Sequence, residues 1–147
     1  MSSKTSAGSP PEYFVDRSLG RVTADRLRAE GWRLHLIADE YANDAERIDD
    51  PEWITEGCRR GWALLTKDKA IRYRAHEIAA LAPGSLLFCL AKGSWTIDEM
   101  VAAFGAARPA MERAIARGDM GFWHVHKDGT IRRMDSGLEP GPPPSAM

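Results

Sequence analysis

The clearest strand signal in the chain is Trp62-Ala63-Leu64-Leu65-Thr66, an apolar run that closes in Lys67-Asp68-Lys69. The stretch before it, Asp50-Pro51-Glu52-Trp53, has the chemistry of a helix start, with Asp at the N-cap, Pro in the first turn and Glu near the positive helix end. We predict that this helix runs to Arg60 and ends at Gly61. A helix that leads directly into an apolar strand is typical of α/β proteins, and it predicts a mostly parallel sheet.

Short apolar runs alternate with helical patterns on both sides of this unit. Toward the amino terminus, the pattern predicts a strand over 13–15, a helix over 19–30 and a strand over 33–38. Toward the carboxyl terminus, it predicts a helix over 75–81 and a strand over 86–91. A helical region follows, which opens with a capping box at 96–99 and is divided by Pro109. The last predicted element is a hairpin over 122–126 and 130–134 with an Asp-Gly turn. The expected fold is therefore α/β, with C-terminal helices and a β-hairpin.

Composition places the chain among soluble single-domain proteins. It has 147 residues, a net charge of −1 and two cysteines without a CxxC pattern, so a disulfide framework is not expected and a reducing cytoplasm fits. The amino-terminal segment lacks the apolar core of a secretory signal, and no apolar run approaches the roughly 20 residues that cross a bilayer. We predict one domain over 12–135, flanked by disordered segments over 1–11 and the Pro-rich 136–147.

Three acids fall where an α/β sheet binds ligands. Asp16 follows the first predicted strand, Asp68 follows the third, and Asp50 begins the helix that enters the third. If the first and third strands are neighbours, their acids face one crevice at the carboxyl edge of the sheet. Two carboxylates about 4 Å apart repel by about 4 kcal/mol at an effective dielectric near 20. A divalent cation reverses that repulsion, and oxygen-only ligands favour Mg²⁺ or Mn²⁺.

Three motifs in this order resemble the PIN-like domain family, which includes the toxin ribonucleases of bacterial VapBC-type toxin–antitoxin pairs. They are Phe14-Val15-Asp16-Arg17-Ser18-Leu19-Gly20, Asp50-Pro51-Glu52-Trp53-Ile54 and Leu64-Leu65-Thr66-Lys67-Asp68-Lys69. The first carries the strand-end Asp, the second an Asp at a helix start, and the third a hydrophobic-T-x-D motif. The resemblance spans about residues 12–91 and implies a three-layer PIN-like fold.

The resemblance also implies a function. The expected activity is RNA cleavage that depends on Mg²⁺ or Mn²⁺, with Asp16, Asp50 and Asp68 as catalytic metal ligands and with a cognate antitoxin as partner. Familiar members carry a further acid on a middle helix, and this chain is short in that region. The candidates for the fourth acid are Glu46 first, then Asp44, with Asp49 and Glu52 able to substitute.

Charge is segregated along the middle of the chain. Residues 39–56 contain eight acids and one base, whereas residues 59–74 contain six bases and one acid. An acidic metal pocket rimmed by cations would hold a phosphate backbone, and Arg17, Lys69 and Arg72 are the predicted phosphate contacts. Two ordinary solvated faces would produce the same pattern.

Other functions are compatible with the same residues. A catalytically inactive PIN-like module would use its acidic loop to bind a basic partner protein. A phosphoacceptor receiver domain also gathers acids at strand ends, but it needs an acid pair directly after the first strand, where only Asp16 stands. Met100, Val101 and Phe104 recur at helical spacing and predict either core packing or a homodimer surface.

Overall fold

The protein is an α/β fold built on one six-stranded sheet. The computed structural model describes residues 10–37, 50–68 and 86–134, with the backbone alone at 50–52. The strands and helices, in chain order, are β1 Glu12–Val15, α1 Arg21–Ala29, β2 Arg33–Leu36, α2 Asp50–Arg59, β3 Ala63–Thr66, β4 Leu86–Leu90, α3 Ile97–Arg117, β5 Gly121–Val125 and β6 Ile131–Arg133. A single 3₁₀ turn, Arg17–Leu19, joins β1 to α1.

The sheet is parallel except at one edge. Its strand order is β2-β1-β3-β4-β5-β6, and only β6 runs antiparallel, as the second strand of the β5–β6 hairpin. The hairpin turns at Asp128-Gly129 as predicted. Gly129 has φ +89°, and a Cβ there would lie 2.7 Å from the Ala106 carbonyl oxygen, so glycine is required where the turn meets α3.

Two apolar clusters lie on opposite faces of the sheet, because successive strand residues point to opposite sides. Tyr13, Val15 and Leu65 pack in a cluster with side chains of α1 and α3. Phe14 and Leu64 pack on the other face in a cluster with side chains of α2. The described residues therefore form three layers, and the predicted mostly parallel α/β architecture is confirmed.

Helix α3 corrects one prediction. Pro109 was expected to divide this region into two helices, but a single helix runs from Ile97 to Arg117 with Pro109 inside it. Pro109 is exposed, whereas seven residues from Met100 to Ala114 on the same helix are buried. Because burial along the whole inner face stabilises the helix on both sides of the proline, the lost backbone hydrogen bond does not end it.

Three apolar residues of α3 were predicted to lie either in the core or on a homodimer surface. Met100, Val101 and Phe104 are all buried in the core of the chain itself. They are therefore not available as a homodimer surface. No helix within the described ranges is long and apolar enough to span a membrane.

Other predictions fall outside the described residues. These predictions are the helix over 75–81, the end of the second strand at Ala38 and the disordered flanks, of which only residues 10 and 11 are described.

The capping box is confirmed, since Glu99 N donates to Thr96 Oγ1 and Thr96 N donates to Glu99 Oε1.

Candidate active site

The candidate site lies where the strand order reverses. The chain leaves β1 for β2 on one side of it and returns to β3 on the other, so β1 and β3 are neighbours with a crevice at their carboxyl ends. Asp16 directly follows β1, and its backbone N–H donates to the Leu65 carbonyl oxygen at 2.9 Å. Asp68 lies two residues beyond the end of β3. The predicted pairing of the first and third strands is confirmed.

The Asp16 carboxylate is held by two hydroxyl groups. Ser18 Oγ donates to Asp16 Oδ2 at 2.6 Å and Thr66 Oγ1 donates to the same oxygen at 2.8 Å. The residue is 8% exposed, and hydrogen bonds to an ionised acceptor are stronger than neutral ones. Among the described residues, none donates a hydrogen bond to Oδ1. Two donors thus anchor one oxygen of the Asp16 carboxylate.

The Thr66 hydroxyl connects the two strand ends. It donates to Asp16 Oδ2 and accepts a hydrogen bond from the Asp68 N–H at 3.0 Å. The Ser18 hydroxyl in turn accepts from the Lys67 N–H at 3.3 Å. The backbone that carries Asp68 is therefore oriented by the same two hydroxyls that hold Asp16, and the two acids belong to one hydrogen-bonded unit.

Helix α2 covers the face on which this unit lies. Asp16 and Thr66 alternate with Val15 and Leu65, so they lie on the face of Phe14 and Leu64, which packs against α2. Since β2 and β3 both run parallel to β1, the chain must cross back over the sheet between them, and α2 makes the last part of that return. Its first residue, Asp50, consequently lies toward the carboxyl edge, where Asp16 and Asp68 are.

The predicted site residues are described to different extents. The pairing of β1 with β3 brings the backbones of Asp16 and Asp68 to one edge of the sheet. Arg17 is exposed and follows Asp16, and Asp50 is placed by the backbone of α2 alone. Glu46, Lys69 and Arg72 lie outside the described residues, as do Asp44, Asp49 and the Glu52 side chain. Over the described ranges, no three His, Cys, Asp or Glu side chains are grouped so that they could hold a metal ion.

The two hydroxyl groups were not predicted from the sequence. Thr66 is part of the hydrophobic-T-x-D motif and Ser18 stands two residues after Asp16, but no role was assigned to either. The signal that could have found them is the pairing of β1 with β3. That pairing brings residues 48 and 50 positions apart into contact.

A pocket of about 120 Å³ opens on the other side of Asp16. It lies at the carboxyl ends of β1 and β2, and its lining consists of Val15, Asp16, Arg17, Gly20, Arg21, Leu36 and Ile37. Arg21 is the first residue of α1 and is exposed, as is Arg17. This pocket was not predicted, because it depends on how α1 and β2 meet beside β1.

The topology and the two strand-end acids define a class: an α/β protein with acids at the point where its strand order reverses. Residues 11–92, more than half of the chain, match the family model of the PIN-like domain, and the chain belongs to that family. PIN domains are generally nucleases. No curated protein and no solved structure shows significant similarity to the chain. The matched range contains both Asp16 and Asp68.

Proposed function

We propose that this protein is a metal-dependent endoribonuclease that uses Mg²⁺ or Mn²⁺, and that it is the toxin of a type II toxin–antitoxin pair. The observation that carries the nuclease proposal is the hydrogen-bonded unit of Asp16, Ser18, Thr66 and Asp68 at the strand reversal. This arrangement holds one oxygen of a nearly buried carboxylate and leaves the other for a ligand.

The donor set fits a hard divalent cation. Asp16 Oδ1 and the Asp68 carboxylate are oxygen ligands, and oxygen ligands are those that Mg²⁺ and Mn²⁺ prefer. Asp50 and Glu46 would complete the set. When bound, such an ion polarises a phosphodiester and lowers the pKa of an attacking water.

The roles of the protein's own groups follow from their positions. Ser18 and Thr66 keep the Asp16 carboxylate oriented toward the crevice, so that no reorganisation is needed when substrate binds. Arg17, exposed beside Asp16, would pair with a substrate phosphate, as would Lys69 and Arg72. A guanidinium suits this role because it can donate two parallel hydrogen bonds to a phosphate.

The nuclease proposal is tested by replacing the acids. Asp16→Asn and Asp68→Asn are expected to abolish cleavage of a labelled RNA in the presence of Mn²⁺, while circular dichroism shows a folded protein. Asp25→Asn is the matched control, because Asp25 is an exposed acid on α1 that forms no ion pair with the described residues. Cleavage at the wild-type rate by both site variants would show that the assigned site is wrong.

A second function is favoured by a specific observation. The chain is short in the region where familiar PIN-like members carry a further acid, and a scaffold without that acid would bind a basic partner protein through its acidic loop without cleaving RNA. Calorimetric titration with Mn²⁺ separates the two functions. The nuclease is expected to bind Mn²⁺ with a dependence on Asp16, whereas the inactive module would show no such binding.

The toxin role is tested in cells. Expression of the protein alone is expected to arrest growth, and co-expression of the neighbouring reading frame is expected to relieve the arrest. Asp16→Asn is the control, since growth arrest that persists in this variant would not arise from RNA cleavage.

A further inference from the structure

We propose that the pocket between α1 and β2 is a nucleotide-binding subsite of the substrate channel, in which Arg21 holds a phosphate that flanks the one being cleaved. This inference rests on the proposed ribonuclease function, because it identifies a substrate contact of that same site. Its basis is the position of the pocket, the chemistry of its lining and the charge at its rim.

The position of the pocket links it to the candidate site. Asp16 forms part of its lining, and the same residue accepts hydrogen bonds from Ser18 and Thr66 on the crevice side. Asp16 therefore separates two spaces, the β1–β3 crevice and the pocket over the ends of β1 and β2. A polynucleotide with one phosphate at the crevice continues beyond it, and this pocket shares Asp16 with the crevice.

Besides Asp16 and Gly20, the lining of the pocket has an apolar surface and a cationic one. Its floor is apolar and consists of Val15, Leu36 and Ile37, which are each at least 93% buried. Arg17 and Arg21 stand at the rim with exposed side chains. An apolar floor suits the face of a base or a ribose, and a guanidinium rim suits a phosphate. A nucleotide carries both surfaces.

The backbone leaves room for such a ligand. Gly20 lines the pocket with φ +83°, and a Cβ built on it meets no atom within 4 Å. Helix α1 begins at the next residue, so its first N–H groups add positive potential to that of the two arginines. A single unpaired strand is the expected occupant, because only an unpaired base can enter a pocket of this size.

The test measures RNA binding without cleavage. Fluorescence anisotropy of a labelled single-stranded RNA, in EDTA, is compared for the wild type, Arg21→Ala, Arg21→Lys and Arg113→Ala. Arg113 is the charge-matched control, because it is exposed near the far end of α3, roughly 24 Å along the helix from Ile97 at 1.5 Å per residue. Arg21→Ala is expected to weaken binding about tenfold and to reduce the slope of log affinity against log salt by about 0.7. Arg113→Ala is expected to change neither, and Arg21→Lys to keep the slope with part of the affinity.

A neutral-linkage scan identifies the contacted phosphate. RNAs that carry one methylphosphonate at each position in turn are bound to wild type and to Arg21→Ala. One position is expected to weaken wild-type binding and to have no further effect in Arg21→Ala. An abasic nucleotide next to that position should also weaken wild-type binding, since the floor would lose its contact. Superimposable scans for the two proteins, or an abasic site without effect, would overturn the subsite.

Failure of this inference is distinguishable from failure of the proposed function. If Asp16→Asn is inactive while Arg21→Ala binds like Arg113→Ala, the nuclease stands and the subsite is wrong. Asp16→Asn could instead cleave normally while the scan identifies a phosphate whose contribution to binding disappears in Arg21→Ala. In that case the pocket binds RNA and the assigned metal site is wrong. Equal affinity for a duplex of the same sequence would overturn the single-strand assignment.

Discussion

Two threonines of this protein are almost equally buried but differ in what their hydroxyls do. Thr66 Oγ1 donates to Asp16 and accepts from the Asp68 N–H. Thr23 is 1% exposed, and its hydroxyl has no hydrogen-bond partner within the described ranges. A buried hydroxyl without a partner costs stability, whereas one that orients a ligand supports function. The pair therefore isolates the contribution of one hydrogen-bonded hydroxyl.

We expect Thr66→Val to lower RNA cleavage by about 10- to 100-fold, because it leaves the Asp16 carboxylate with only Ser18 as donor. The free energy of unfolding should also fall by about 1–3 kcal/mol, since the Asp68 N–H loses its acceptor. Thr23→Val is the control and should keep full activity with unchanged or higher stability. Cleavage assays and urea unfolding measure both effects. Equal activity in the two variants would show that the hydroxyl network does not orient the site.

At the residue scale, sequence reasoning found the acids but not what holds them. Asp16 and Asp68 were predictable because a polar residue after a buried strand marks the carboxyl edge of a parallel sheet. The donors Ser18 and Thr66 were not assigned, because their partnership depends on β1 lying beside β3 in one register. The pocket between α1 and β2 was not predicted for the same reason, since it forms only where α1, β1 and β2 meet.

At the element scale, the amino-terminal end of α3 is held by a charged corner. Glu99 accepts from the Thr96 N–H through Oε1 and from Lys127 Nζ through Oε2, both at 2.8 Å. Lys127 Nζ also lies 5.5 Å from the centroid of the Trp95 ring. These contacts tie the start of α3 to the loop of the β5–β6 hairpin, with the hydrogen bond from Lys127 as the largest reason why the pKa of Glu99 is lowered.

This corner predicts a pH dependence. Because the pKa of Glu99 is lower in the folded protein, its contribution to stability is present above the ordinary pKa of Glu and is lost as the pH falls through the lowered value. Glu99→Gln should therefore lower the melting temperature at pH 7 and converge with the wild type in strong acid. Glu30→Gln is the control, since Glu30 is an exposed acid whose carboxylate forms no ion pair with the described residues. A Glu99→Gln deficit that is constant with pH would contradict the ion pair.

Helix α3 shows which of its features depend on neighbouring residues in the sequence and which depend on packing. The capping box over 96–99 was predictable, because it depends on neighbours in the sequence. The effect of Pro109 was predicted wrongly, because proline rules describe an isolated helix. In the folded protein, Phe104 and Met111 lie on either side of the proline and are both fully buried. Packing on the sheet thus outweighs one lost backbone hydrogen bond.

At the scale of the whole molecule, the position of α2 relates the core to the candidate site. This helix carries Asp50 at its start, and it approaches the sheet through Gly57. A Cβ on Gly57 would overlap the Leu64 Cδ2 methyl and would lie 3.2 Å from Phe14 Cδ2. Both side chains are 0% exposed, so neither can move aside without disturbing the core. The glycine therefore sets how close α2 comes to β1 and β3.

Gly57 and Gly105 both lie within helices, but they differ in the space that a Cβ would find. Gly57→Ala should lower the free energy of unfolding by about 1–3 kcal/mol through overpacking, and it should reduce cleavage because α2 and Asp50 move away from Asp16. Gly105→Ala is the control, since its Cβ would lie 3.7 Å from Glu30 Oε1, an ordinary contact, and alanine favours the helix by roughly 0.5–1 kcal/mol. Urea unfolding should therefore show lower stability for Gly57→Ala and higher stability for Gly105→Ala. RNA cleavage should fall only in Gly57→Ala. If Gly57→Ala loses stability but cleaves at the wild-type rate, the spacing between α2 and the sheet does not govern the site.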